Sequence, residues 1–399
     1  MRVTHRSDER LPVAVLGATG IVGQRLVRML DEHPSLRLAS VAASGRRACE
    51  KYGEAVRWSL RGDPPAEAAG LPLRVATEPP ECRIVLSALP SRVARELEPA
   101  LAEAGHIVST NASAHRMRAD VPLVVPEVNP QALALTGSQP WSGGGGRLVA
   151  NPNCVVAGLA LVLAPLRDAF GIEAATVVTL QAVTGAGLAG VGSVQIEGNA
   201  IPWIPGEEEK IEPELNKILG TEIAVASSVN RVPVLDGHTA NVFLKFASPA
   251  SPRDAARALA DFRAPPLLPP LHSLPERPII VRREPDRPQP RLDIGQGGGM
   301  AASVGRIRAA PPHDLAMTVV AHNGVRGAAG ACLANAEFCL ASPLGRDDHR
   351  QRRRPGRSSN PSSAGCDTGA PPNRTAALGD VEMTFRQPVA SRTRTLGDP

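Results

Sequence analysis

Aromatic side chains make up only 3% of the chain, so Val, Leu, Ile and Ala must carry the packing of any core. No apolar run is long enough to cross a bilayer as a helix, and the opening MRVTHRSDERLP lacks the basic and apolar regions of a secretory leader. A soluble, cytoplasmic protein without a membrane partner is expected. The six cysteines, at 49, 82, 154, 332, 339 and 366, form no Cys-x-x-Cys pair and show no zinc-like spacing with histidine. Neither a metal site nor a disulfide framework is expected. The formal net charge of +5 hints at a nucleic-acid partner only until it is located. Residues 342–399 hold ten arginines against six acids, which accounts for +4 of it. The rest of the chain is close to neutral, so no nucleic acid is expected.

What is present points to an α/β protein of two or three domains, on a length of 399 residues. The apolar, β-branched run LPVAVL (11–16) reads as a strand, followed by the glycine turn GATGIVG (17–23) and an amphipathic helix over 24–32. A second strand spans 36–43. This is the opening βαβ of a dinucleotide-binding fold, where glycines let the backbone approach a pyrophosphate at a helix N-terminus. A tight strand–helix turn with no ligand would show the same residues. The second strand ends Ala43-Ser44-Gly45-Arg46-Arg47, without the terminal carboxylate that holds the ribose hydroxyls of NAD. Ser44, Arg46 and Arg47 suit a 2′-phosphate, so NADP is expected; a solvated basic loop is the plainer alternative. A further strand over 84–89 ends in Ser87-Ala88-Leu89-Pro90-Ser91, a lip for the same cleft.

From about residue 151 the pattern changes to longer strands, 174–182, 239–246 and 316–320, with a small-residue helix over 327–340. Residues 143–146 read as a flexible surface loop of glycines and the proline-rich 265–290 as irregular. The polar, Arg-, Ser- and Pro-rich segment after Ala341 reads as disordered.

NPNC (151–154) stands before an apolar stretch from Val155 to Leu166. Asn151, Pro152 and Asn153 form a turn and cap, which puts Cys154 at a helix N-terminus, where the dipole and free N–H groups favour a thiolate. A small inert residue filling a helix start fits the segment equally well. Three further stretches lie downstream: QAVTGAG (181–187), EEEKIE (207–212) and NRVPVLDGH (230–238). Each alone is weak, since a helix-start Glu cluster is commonly solvated and a lone histidine commonly structural. Together with a nicotinamide fold they make chemical sense. His238 is an acid/base partner for the thiol, and Arg231 a fork for a substrate carboxylate. Glu207 suits a substrate ammonium, and Lys210 and Arg116 suit a phosphate.

These motifs, in this order, resemble the aspartate-semialdehyde dehydrogenases of archaea, fungi and some bacteria. The matching stretches include GATGIVGQ, SALPS, SAHRM, VPEVNP, NPNC, QAVTGAG, GNAIPWIPGEEEKIEPELNKILG, SVNRVPVLDGH, PDRPQPRLD, GGGMAASVGRIR and AHNGVRGAAGA, covering about residues 11–341. The resemblance implies that Cys154 is the nucleophile, His238 the acid/base and Gln181 the residue that orients the acyl intermediate. Arg231 would hold the substrate carboxylate, and Glu207, or its neighbour Glu208, the amino group. Arg116, Asn111 and Lys210 would surround the phosphate, and Asn323 would approach the nicotinamide. Gly17, Thr19, Gly20, Ile21 and Val22 would line the pyrophosphate turn, with Ser87, Leu89 and Pro90 opposite. The implied reaction converts L-4-aspartyl phosphate and NADPH into L-aspartate-4-semialdehyde through a cysteine thioester, a step of lysine, threonine and methionine biosynthesis.

The fold implied is a Rossmann-type dinucleotide-binding domain (1–150, rejoined by 324–341), an α+β catalytic and dimerisation domain with a mixed sheet (151–323), and a tail (342–399). A homodimer or homotetramer follows from the same resemblance. Two departures stand out. Val155-Val156 replaces the usual Ser-Thr after NPNC, and Leu188-Ala189-Gly190 replaces Tyr-Pro-Gly. A malonyl- or succinyl-CoA reductase of the same superfamily would keep Cys, Arg and His, but it need not bind an amino group or free phosphate. A catalytically impaired nucleotide-binding paralogue has the two valines as its only support. The short-chain reductases that share a glycine turn need Tyr-x-x-x-Lys, and the single tyrosine, Tyr52, precedes Val56 at that spacing.

Overall fold

The computed structural model describes residues 10–342 except 188, 189 and 191. The expected disordered tail and the replaced Leu188-Ala189 pair thus lie outside the described residues, except for Ser342 at the tail's start.

Six strands, β1 (Leu11–Leu16), β2 (Leu36–Ala43), β3 (Leu73–Val75), β4 (Ile84–Ser87), β5 (Ile107–Thr110) and β6 (Arg147–Ala150), form a parallel sheet in the order β3-β2-β1-β4-β5-β6. Their short apolar runs suit burial on both faces, and Val13 to Leu16 and Ile84 to Ser87 are buried throughout. The strand order reverses between β1 and β4, which opens a crevice at their C-terminal ends. Gly17 leaves β1 there at φ +74°, and a side chain on it would meet the Ala88 carbonyl at 2.5 Å. Both the backbone angle and the close approach require glycine. Helix α1 (Ile21–Asp31) follows and buries Leu26, Val27 and Leu30.

A second, mixed sheet is built from β7 (Ile172–Gln181), β8 (Ala224–Arg231), β9 (His238–Phe246), β10 (Ile279–Val281), β11 (Ala302–Ala310) and β12 (His313–Ala321), in the order β10-β11-β12-β9-β7-β8. Buried and half-exposed residues alternate along β9, so one face is covered and the other open. Helices α3 (Cys154–Phe170), α4 (Glu208–Leu219) and α5 (Pro252–Asp261) cover the inner face, while α2 (Ser91–Glu103) belongs to the first sheet. Every residue of α3 from Val155 to Leu166 is buried, as its unbroken apolar run demands. A single core cluster runs from Leu16 and Val85 through α3 to Val242 and Val304. Helix α6 (Gly330–Ala341) returns to β4 and β5, with Cys332, Leu333 and Ala336 packed among Val13, Val15 and Leu86.

Three local expectations need correction. The proline-rich 265–290 stretch contains β10, because the β-branched Ile-Ile-Val triplet pairs in parallel with β11 at the sheet edge. In the glycine loop 143–146, Gly145 and Gly146 are buried, since the Ala102 carbonyl occupies the place of any Gly146 side chain. The small-residue helix is entered through a π-helical turn, Val325–Ala329, before α6 begins at Gly330.

Candidate active site

Cys154 is the first residue of α3. The Asn153 side chain accepts the Val155 N–H at 2.9 Å, and its amide donates to Glu207 at 2.8 Å. The cap is therefore satisfied without the Ser-Thr hydroxyls, and Val155 and Val156 turn into the core. Three strand ends converge on the thiol. Gln181 ends β7 in register with Arg231 at the end of β8, and His238 opens β9 beside Ala321 of β12. His238 Nε2 lies 3.1 Å from Cys154 Sγ. Gly185 passes over the pair, and a side chain there would meet Arg231 Nη1 at 2.8 Å and His238 Cε1 at 3.2 Å.

The ring has a defined tautomer. His238 Nδ1 accepts the Ala182 N–H at 3.0 Å, so the proton of the neutral imidazole sits on Nε2, facing the sulfur. Burial, then the nearby Arg231 and His322, pushes the His238 pKa down to about 3. Burial, then Glu207, pushes the Cys154 thiol up to about 12, while Arg116, Arg231 and the Val155 N–H pull the other way. The resting pair is thus an uncharged thiol and a neutral imidazole.

Two recesses meet at Cys154. One, of about 280 Å³, is lined by Ile21, Val22, Asn111, Arg116, Glu207, Lys210 and Asn323, and it reaches α1. The other, of about 380 Å³, is lined by Gln181, Arg231, Glu207, Ile201 and Trp203. Cys154 and Glu207 line both. Glu207 is engaged by Lys210 at 2.8 Å as well as by Asn153. Arg231 is 5% exposed, and one arm of its fork is fixed by donating to the Ala182 carbonyl at 2.7 Å. Asn111 donates to the Ser87 carbonyl and accepts from Asn151, which accepts in turn from Asn335 of α6. Arg116 is held by the Asn151 and Asn111 carbonyls and by Glu214.

At α1, Gly20 caps without a side-chain bond, and the first turn holds no acid. Its N–H groups and positive dipole end are open to a pyrophosphate, and the recess lined by Ile21 and Val22 leaves room beside them, so these residues fit a dinucleotide. The Thr19 carbonyl is held by Gln24 and the Ala18 carbonyl by the Tyr52 hydroxyl, which keeps the turn in place. Leu89 is buried and Pro90 leads into α2, opposite this turn. Ser44 is exposed at the end of β2, but the Arg47 guanidinium is bound by Glu50 and by the Glu54 and Ala55 carbonyls. Arg46 lies in the same 3-10 turn. Among the described residues, no group of three or more His, Cys, Asp or Glu is placed to hold a metal ion.

Several participants escape a motif reading. Asp236 accepts from Arg25 of α1 and from Thr184, both at 2.7 Å, while Asn323 donates to Thr184 and accepts the Gly237 N–H. This network fastens the residue before His238 to the nucleotide-binding sheet. Gly327, in the π-helical turn, lies directly against Cys154. Glu214 has a legible signal, since it recurs at helical spacing from Glu207 and Lys210 beside the apolar face of Ile211, Leu215 and Ile218.

Comparison with known proteins places most of the chain beside one family. A family model described as "Semialdehyde dehydrogenase, NAD binding domain" matches residues 12–136, and one described as "Semialdehyde dehydrogenase, dimerisation domain" matches 163–326. An aspartate-semialdehyde dehydrogenase of Archaeoglobus fulgidus is 48% identical over 347 residues, 84% of this chain and 99% of the relative. One from Methanothermobacter thermautotrophicus is 47% identical over 341 residues, 82% and 98% of the two chains. The crystal structure of aspartate-semialdehyde dehydrogenase with NADP from Candida albicans superposes with a TM-score of 0.77 at 38% identity, covering 84% of this chain and 99% of that one.

Proposed function

The chain belongs to the aspartate-semialdehyde dehydrogenase family, and from that premise we propose that it catalyses the NADP-dependent reductive dephosphorylation of L-4-aspartyl phosphate to L-aspartate-4-semialdehyde. The observation that carries this reading is the Cys154–His238 contact of 3.1 Å at the junction of two recesses, one leading to the dinucleotide turn and one to Arg231. Arg231 takes the substrate α-carboxylate in its fork and Glu207 takes the ammonium, which places the β-acyl carbon beside Sγ. Arg116 and Lys210, with Asn111, neutralise the phosphate.

Cys154 Sγ bonds to the acyl carbon, the carbon–oxygen bond to phosphate breaks, and phosphate leaves with that electron pair and with the thiol proton. Gln181, at the end of β7, orients the resulting thioester. The bound nicotinamide supplies the hydride. His238 Nε2–H, held in this tautomer by the Ala182 N–H, hydrogen-bonds to the oxygen on which charge develops and then to the sulfur as the carbon–sulfur bond breaks and the aldehyde carbonyl re-forms, and the released thiolate takes its proton from water. The two arginines and the start of α3 favour the thiolate against the cost of burial.

Cofactor choice rests on Ser44 and the absence of a carboxylate at the end of β2. A homodimer through the open face of the second sheet is part of the same reading, supported by the family model for that region. No helix among the described residues is long and apolar enough to cross a membrane. The decisive test is NADP+ reduction by L-aspartate-4-semialdehyde, with and without phosphate, beside Cys154→Ala. Phosphate-dependent turnover lost in the variant is the expected result. An inactive wild type that still binds NADPH, yet reduces malonyl- or succinyl-CoA, would overturn the substrate assignment.

A further inference from the structure

Glu214 is a buried carboxylate, 2% exposed, for which the reaction above has no chemical use. Its two oxygens are divided between two structures that must be in register. Oε1 accepts from Arg116 Nη1 at 3.0 Å, and Oε2 accepts the backbone N–H of Asn153, the residue before the nucleophile, at 2.6 Å. Three turns of one helix carry the whole set. Glu207 stands at the cap of α4 and Lys210 in its first turn. Glu214 follows, and then Lys217, whose ammonium binds the Arg116, Arg118 and Val121 carbonyls at 2.7 to 3.0 Å. This face of α4 therefore grips both the Arg116 loop and the Cys154 turn.

We propose that Glu214 is a positioning residue that locks the phosphate-binding guanidinium of Arg116 to the peptide presenting Cys154, and that it offsets the Arg116 charge felt by the thiol. The proposal rests on the roles given above to Cys154 and Arg116. A hydrogen-bonded carboxylate can hold two donors at once, whereas an amide of the same shape must turn its NH2 toward one of them. In Glu214→Gln either Arg116 or the Asn153 N–H then faces a donor, and the turn that carries Sγ shifts. The lost negative charge also leaves Arg116 without its counter-ion. Direct physical consequences follow for two separate readouts, because Arg116 pulls the Cys154 thiol toward ionisation.

The test uses the full chain, with alkylation of Cys154 by iodoacetamide followed on its own peptide, steady-state kinetics with varied phosphate, and thermal unfolding. Glu214→Gln is expected to lower kcat by about 10- to 100-fold without raising the KM for phosphate. Alkylation of Cys154 near neutral pH should become about three- to tenfold faster. Glu214→Asp keeps the charge but reaches only one donor, so alkylation should return to the wild-type rate while kcat stays low. Wild-type kcat and alkylation in a folded Glu214→Gln protein would overturn the proposal. So would a kcat loss that tracks a lowered Tm with alkylation unchanged. If Glu214→Gln fails to fold, Glu214→Asp decides alone, and wild-type kcat there overturns it. A wild type without phosphate-dependent turnover would sink the proposed reaction instead, leaving the alkylation comparison to judge Glu214.

Discussion

Gly327→Ala tests whether the π-helical turn positions Cys154, the proposed nucleophile. The new Cβ would lie 2.6 Å from the Cys154 Cβ, 2.7 Å from its Cα and 2.8 Å from its carbonyl oxygen. Carbon atoms pack best at about 3.5–4.0 Å, so roughly 1 Å must open between the two backbones. The turn resists retreat, because Arg326 beside Gly327 makes a buried two-pronged pair with Glu127 at 2.7 and 2.9 Å. Breaking such a pair costs about 3–5 kcal/mol, more than the roughly 1–3 kcal/mol of a typical overpacked methyl. The first turn of α3 borders the open recess, so Cys154 yields. A 1 Å displacement of a reacting atom costs about 100-fold in rate. The assay is the initial rate of phosphate-dependent NADP+ reduction, with Tm measured alongside. Gly143→Ala serves as control, since nothing lies within 4 Å of its added Cβ, and about 0.5 kcal/mol bounds its effect. A Gly327→Ala protein with wild-type turnover and unchanged Tm would refute the reasoning.

Glu207→Gln should weaken substrate binding and speed Cys154 alkylation, since Glu207 is the charged group that raises the thiol pKa; slower alkylation would contradict that sign. Arg231→Met should do the reverse at sulfur, slowing alkylation, and it should raise the aldehyde KM, both readable in the same two assays. With His238 neutral down to about pH 3 and the thiol held up at about 12, alkylation of Cys154 should climb from about pH 7 to about pH 10 without a plateau. An inflection between about pH 5 and 7 would instead reveal a thiolate–imidazolium pair. Tyr52→Phe removes the hydroxyl that holds the Ala18 carbonyl in the glycine turn, a bond worth about 1 kcal/mol. NADPH affinity measured by fluorescence titration should fall several-fold, and an unchanged Kd would show that the turn holds itself.

What the chain discloses before folding is what short-range physics writes into it. β1, the glycine turn and α1 are adjacent in sequence, so their periodicity and punctuation show directly, and β2 falls on residues 36–43 as its apolar run indicates. Cys154 is legible for the same reason, since a polar turn and an unbroken apolar run mark a helix start. The entry to α6 is not, because a run of glycines and alanines suits an α turn and a π turn alike.

Long-range partners are hidden for a different reason. Glu214 and Arg116 stand 98 residues apart, Asn153 and Glu214 61 apart, and Arg25 and Asp236 211 apart. Arg25 looks alone like an ordinary surface charge, because helix-borne Arg is usually solvated, and Glu214 shows only its helical spacing from Glu207 and Lys210. Two of these pairs are closed by the α4 face that also seats Lys210, and the third by the loop leading into β9. The Cys154 sulfur is therefore placed less by its own helix than by carboxylates arriving from elements whose sequences say nothing of thiol chemistry. That is why motif order identifies the family, while the residues that hold the geometry emerge only once the two sheets are brought together.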